Sequence, residues 1–274
     1  MSSTSIIIIF IIIILLYCAS HGAEQLENKL LYQPTIVDPH KDYSTTPEDY
    51  EMDYEEVQIN GLYGWLIKPP DMNDKTKILL FCHGNGGNIS NTLAFAELMV
   101  SHGYAVVTFD YSGYGRSTGK PSETTLVRDV SEMITALLHM KYPASRIIVY
   151  GHSLGGAVAI QAVANHPMGH KLAGLVVEGT FYNLHERAQD SFKWMRYIRV
   201  PLCNKYTSNQ AICHVRCPIL VVHSQQDEVI KYEHAEKLYE LLQNNFSKAY
   251  LISIKGSHNN PIYSAEFFKR IDIL

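Results

Sequence analysis

The stretch Gly151-His152-Ser153-Leu154-Gly155-Gly156 constrains this chain more than any other. The apolar run Ile147-Ile148-Val149-Tyr150 leads into it and Ala157-Val158-Ala159-Ile160-Gln161-Ala162-Val163-Ala164 leads out, so the pattern reads as strand, sharp turn and helix with a serine at the apex. Such a turn pushes Ser153 toward positive φ and draws the strand and helix backbones together, leaving room only for glycine two residues to either side. Gly151 and Gly155 stand there. The hydroxyl then projects at a helix N-terminus, where the unpaired N–H of Leu154 and the positive dipole end can stabilise an oxyanion. This is a nucleophile elbow, and its flanking strand and helix argue against a turn of purely structural value.

The surrounding pattern supplies a matching frame. Apolar runs with little alternation occur at Ile78 to Cys82, Ala105 to Phe109, Ile147 to Tyr150, Leu172 to Val177, Ile219 to Val222 and Ala249 to Ile254, as expected of strands buried on both faces. Helical stretches separate them at Leu93 to Ser101, Glu123 to Met140, Leu154 to Asn165, Tyr232 to Gln243 and Pro261 to Ile271. The order predicts an α/β fold, a mostly parallel central sheet with helices on both faces, whose strand C-termini share one edge. Val57 to Ile59 and Leu62 to Ile67 flank Asn60-Gly61, a hairpin signal that opens the domain.

The domain is assigned to residues 57–274. Residues 24–56, with Pro34, Pro39, Pro47 and an acidic end, read as a linker and lead-in. Residues 181–217 form the longest insertion between strands and predict a small helical cap over the active edge. Phe181, Leu184, Ala188, Phe192 and Met195 recur there at helical spacing, with Arg187, Lys193, Arg196 and Arg199 elsewhere on its surface. That stripe serves packing first, and an acyl groove second.

Loops after the strands carry the remaining candidates. His83-Gly84-Asn85-Gly86-Gly87-Asn88 offers a backbone N–H as second oxyanion donor, with Asn85 chosen and Gly84 behind it. Asp110 and the glycines after it form a structural turn. Asp227, past the strand Ile219 to Val222, is the acid that orients a histidine, with Glu178 in reserve; His258, on a mobile loop after the last strand, is the base.

Ile6 to Leu16 is an unbroken apolar run, and residues 1–23 read as a signal peptide or signal-anchor. Both readings direct the chain to the secretory pathway, secreted or membrane-anchored. Cys18 leaves with a cleaved signal and Cys82 lies in a strand, so any disulfide is expected among Cys203, Cys213 and Cys217. Of two glycosylation sequons, Asn88-Ile89-Ser90 would block the site and Asn245-Phe246-Ser247 is the better acceptor. A net charge of −4 gives no reason to expect nucleic acid as a partner.

From Val57 to the C-terminus the chain resembles the α/β-hydrolase superfamily. Phe81 to Ser90, Gly151 to Gly156, Glu178-Gly179-Thr180-Phe181 and Gly256-Ser257-His258-Asn259 resemble the membrane-anchored serine hydrolases typified by alpha/beta hydrolase domain-containing protein 13. Asp110 to Gly115, Gly119 to Glu123 and Asp227 to Ile230 are similar to the related palmitoyl-protein thioesterases. The resemblance implies cleavage of carboxylic esters or thioesters through an acyl-enzyme, on small-molecule, lipid or acylated substrates, with no metal or organic cofactor. An interaction protein on a silent hydrolase fold, tethered to a membrane, and an acyltransferase with the same triad are the alternatives.

Overall fold

The computed structural model describes residues 22–274 apart from 39, 198–199 and 244–247. The apolar run Ile6 to Leu16, Cys18, Arg199 and the sequon at Asn245 therefore lie outside the described residues. Among those described, no helix is long and apolar enough to cross a membrane.

In chain order the elements are α1 (22–31), β1 (Gln33–Pro34), β2 (Asp53–Ile59), β3 (Leu62–Lys68), β4 (Ile78–Cys82), β5 (Gly86–Gly87), α2 (Leu93–Ser101) and β6 (Ala105–Asp110). Then come α3 (Glu123–His139), β7 (Ile147–His152), α4 (Leu154–Asn165), β8 (Gly174–Glu178), α5 (Leu184–Ser191) and α6 (Ser208–Ala211). The chain closes with β9 (Ile219–Ser224), α7 (Glu233–Gln243), β10 (Ala249–Ser257), β11 (Asn260–Ile262) and α8 (Ala265–Asp272). Nine strands form one sheet in the order β11-β10-β9-β8-β7-β4-β6-β3-β2. The six from β10 to β6 are mutually parallel, and β2, β3 and β11 join antiparallel.

Alternate residues of each central strand enter opposite layers, which explains the continuous apolar runs. Ile78, Leu80 and Cys82 join the layer of α3, α4 and α7, while Leu79 and Phe81 join that of α2 and α8. The hairpin between β2 and β3 turns on Asn60 and Gly61, whose φ of 50° and 84° fit a turn with both central residues left-handed.

After β4 the chain moves to β6 on one side, then crosses to β7 on the other, so the strand order switches between β4 and β7. A crevice opens at such a point outside the strand C-termini. Ser153 follows β7 directly.

Two sequence expectations differ from the structure. The lead-in 24–56 is part of the domain's framework: α1 docks on the end of the cap, Gln33–Pro34 pairs with Gly86–Gly87, and Asp53–Glu56 opens β2. These contacts are mostly backbone bonds, which leave no hydrophobic period to read. The helical spacing from Phe181 to Met195 does not run through one helix, because Phe192 leaves helical geometry (φ −119°, ψ 81°) between α5 and a short 3₁₀ turn at Lys193–Arg196. Phe181, Leu184 and Met195 still bury, whereas Phe192 does not. The four described cysteines, Cys82, Cys203, Cys213 and Cys217, are free thiols.

Candidate active site

Packing at the elbow forces its sequence. A Cβ on Gly155 would sit 2.0 Å from the Cys82 carbonyl oxygen, and one on Gly151 2.4 Å from the Gly155 oxygen, so each accepts only glycine. Ser153 has φ 55° and ψ −122°, and it begins α4 as its N-cap. Its N–H donates to the Glu178 carbonyl (2.9 Å), while its own carbonyl accepts from Thr180 Oγ1 (2.8 Å) and the Gly156 N–H (3.0 Å). The end of β8, the Thr180 hydroxyl just after it and the first turn of α4 thus hold the strained residue by its own backbone atoms.

Ser153, His258 and Asp227 come together in one hydrogen-bonded chain. His258 Nε2 lies 2.9 Å from Ser153 Oγ, and His258 Nδ1 lies 2.7 Å from Asp227 Oδ2. A carboxylate can only accept, so Nδ1 carries the proton and the lone pair of Nε2 faces the serine. Asp227 Oδ1 accepts the N–H groups of Val229 (2.8 Å) and Ile230 (2.7 Å). Burial raises the Asp227 carboxyl, but the bonds from His223, His258 and the Ile230 amide outweigh it and hold the group well below the usual carboxylate range.

His258 is not on a mobile loop. The strands β10 and β11 pair Ser257 with Asn260, so His258 and Asn259 form the tight turn of a hairpin. The His258 N–H donates to Glu228 Oε2 (3.1 Å), and His152 Nε2 lies 3.0 Å from its carbonyl. Burial first, then the neighbouring His258, lower the His152 imidazole to about 4, so it is neutral and donates from Nε2.

His223 was not foreseen as part of this site. Its Nε2 is 2.8 Å from the Ile230 carbonyl, which requires the proton on Nε2, and it lies 3.3 Å from Asp227 Oδ2. Two histidines therefore face one carboxylate. The only trace of this in the sequence is the four-residue spacing from His223 to Asp227.

The reserve acid is elsewhere engaged. Glu178 accepts from Tyr150 (2.6 Å) and Tyr263 (3.0 and 3.2 Å), and those side chains lie in the layer of α2 and α8. Burial raises its carboxyl above the ordinary range despite the two tyrosine bonds.

Asn85 sits beside the elbow in a loop held from both sides. Its carbonyl accepts from the Gln33 N–H (2.9 Å) and Tyr114 Oη (2.8 Å), and its Nδ2 donates to the Leu31 carbonyl (3.1 Å). The preceding Gly84 packs against the serine, since a Cβ there would be 3.6 Å from Ser153 Cβ. The Leu154 N–H, at the first position of α4, has no intrahelical acceptor. Asn88 is buried, accepts from the Ser90 N–H (3.0 Å) and donates to the Thr35 carbonyl (3.2 Å), so its amide is taken up within the fold.

Asp110, under this loop, accepts from Tyr43 Oη, the Ile89 N–H (3.0 Å) and the Arg116 N–H (3.2 Å). Burial raises its carboxyl to about 6, against the lowering effect of those three bonds. The folded value exceeds the unfolded one of about 3.9, so the folded state binds more protons between the two; the stability this confers is complete below about pH 4 and lost as the pH rises through about 6. The span is about two units, or up to ~3 kcal/mol. Urea midpoints of the wild type should therefore fall from pH 4 to pH 7 more steeply than those of Asp110→Asn. Equal slopes would place the proton elsewhere.

The comparisons with known proteins fit this geometry. The family described as Serine aminopeptidase, S33, a branch of the α/β hydrolases, matches residues 73–214. The chain belongs to the α/β-hydrolase family. The relative Uncharacterized protein R595 of Acanthamoeba polyphaga mimivirus is 30% identical over 265 residues, covering 86% of this chain and 87% of that one. The Lysophosphatidylserine lipase ABHD12 of Danio rerio is 28% identical over 179 residues, 60% of this chain and 47% of the relative. The solved esterase Pf2001 of Pyrococcus furiosus shares the fold at TM-score 0.66 and 20% identity, covering 88% of this chain and 95% of that one. In this α/β hydrolase the mostly parallel sheet and flanking helices follow the order expected from the sequence.

Proposed function

We propose that this protein is a serine hydrolase that cleaves carboxylic ester or thioester bonds through an acyl-enzyme intermediate. One observation carries the reading: the unbroken chain from Ser153 Oγ through His258 to Asp227, with the serine at the N-terminus of α4. His258 Nε2 takes the hydroxyl proton as Ser153 Oγ attacks the carbonyl carbon, and Asp227 holds the imidazolium that forms. The N–H groups of Leu154 and Asn85 bind the oxyanion. The tetrahedral intermediate collapses, His258 returns the proton to the leaving alcohol or thiol, and Ser153 keeps the acyl group. A water activated by the same imidazole then releases the acid. The groups of this chain, the ester and one water balance these steps.

A lipid or acylated substrate presented at a membrane surface suits the cap. Phe192 and Trp194 are each 54% exposed on it, beside Lys193 and Arg196, and one relative is named a lysophosphatidylserine lipase. We assign the apolar run Ile6 to Leu16 to entry into the secretory pathway, whether it is then cleaved or kept as an anchor.

Fluorophosphonate labelling followed by kcat/KM on p-nitrophenyl esters of two to sixteen carbons, below micelle concentrations, tests both statements. Each buried methylene is worth about 0.8 kcal/mol, so four added carbons should raise kcat/KM by roughly 100-fold along an open apolar groove. A steady fall beyond four carbons would leave a short-chain esterase. Absence of labelling and turnover would point to a silent fold, and efficient transfer to an alcohol in place of water to an acyltransferase.

A further inference from the structure

The cap holds a cation, Arg187, for which the fold supplies no carboxylate. Arg187 lies in α5, which begins five residues after Gly179, and an added Cβ at Gly179 would be 3.4 Å from both Asp227 Oδ2 and the His258 ring. One turn further along α5, Asp190 bonds Lys231 (2.7 Å) and His234 (3.1 Å), just beyond the turn that Asp227 closes. The helix is thus tied at Asp190 to the segment that follows the Asp227 turn. Arg187 is half-buried, and its Nη1 donates to Ser191 Oγ (2.5 Å).

Every nearby carboxylate is already engaged. Asp190 is shared among Arg196 (2.9 Å), Lys231 and His234; Glu186 pairs with Lys237 (2.6 Å); Asp227 is taken by two histidines and two amides; Glu228 accepts the His258 N–H. Among the described residues, no carboxylate lies within ion-pair distance of Arg187. Burial lowers its affinity for the proton, and the charges of Asp190 and Asp227 oppose that lowering. A guanidinium remains charged in such a place, and a partly desolvated charge held by a neutral hydroxyl without a carboxylate is costly to keep. Its planar fork matches a carboxylate or phosphate with two parallel bonds.

We propose that Arg187 is a specificity-determining residue that receives an anionic group, carboxylate or phosphate, borne by the ester substrate close to the scissile bond. This rests on the hydrolase reading of Ser153. The anion either ends the acyl chain or sits on the leaving alcohol, and matched esters separate the two. The acyl pair is p-nitrophenyl valerate and mono-p-nitrophenyl glutarate; the alcohol pair is monobutyrin and butyryl glycerol phosphate.

The wild type is expected to favour the anionic member of at least one pair. The anionic-to-neutral ratio of kcat/KM should drop about 10- to 100-fold in Arg187→Gln, the loss of a charge-assisted pair, and partly recover in Arg187→Lys. Because a ratio cancels the fraction of active enzyme, a partly misfolded variant still reports. Unchanged ratios in both pairs overturn the anion site while leaving the hydrolase standing. A wild type that takes the fluorophosphonate label yet turns over none of the four esters overturns the anion site alone, and absence of labelling as well overturns both proposals.

Discussion

Ser153→Ala is expected to abolish fluorophosphonate labelling and to cut kcat for ester hydrolysis by about 10⁶, the scale of losing the nucleophile of such a triad. The fold should survive. Every bond that clamps the elbow uses backbone atoms of residue 153, namely its N–H to Glu178 and its carbonyl from Thr180 and Gly156. Alanine keeps those atoms and occupies the same space, so thermal midpoints should stay close to wild type. Intact-protein mass spectrometry after labelling gives the answer directly: an adduct on the variant would assign the nucleophile to another residue.

Asp227→Asn should lower activity by about 10⁴ while Glu178→Gln costs far less. The reason is the tautomer. With a carboxylate at 2.7 Å, His258 Nδ1 must carry the proton; an amide turned to donate there would shift the proton to Nε2 and leave no lone pair for the serine hydroxyl. Glu178 instead accepts from Tyr150 and Tyr263, bonds that the Gln carbonyl can still receive. Steady-state kinetics of the two purified variants on one ester decide it. The reverse ranking would move the acid to the end of β8.

A positive-φ serine between glycines, with strand before and helix after, was legible because steric exclusion at Gly151 and Gly155 is a local property of the backbone. The same holds for Asn60-Gly61, and for the buried strands, whose apolar runs follow from being covered on both faces. Chain order alone preferred Asp227 over Glu178 as the expected acid; in the structure Asp227 lies 2.7 Å from His258 Nδ1, while Glu178 bonds tyrosines of the layer of α2 and α8.

What the sequence could not express are contacts between segments far apart in the chain. Tyr32 Oη bonds Asn204 Oδ1 and lies 2.8 Å from Tyr206 Oη, tying the lead-in to the cap across more than 170 residues; the Gln33, Thr35 and Val37 amides run along Asn85, Gly87 and Gly115. Backbone amides look alike in any sequence, so this strap over the glycine loop had no signature. Nor did the second histidine on Asp227, the hairpin that fixes His258, or the isolation of Arg187 in the cap. Each depends on where a side chain's partners are in space, and on which charges have already been taken by others. Local sterics and burial periodicity therefore determined the elbow and the sheet, while tertiary packing alone decided how the base is held, what shelters the oxyanion loop and which cation was left free to meet a substrate.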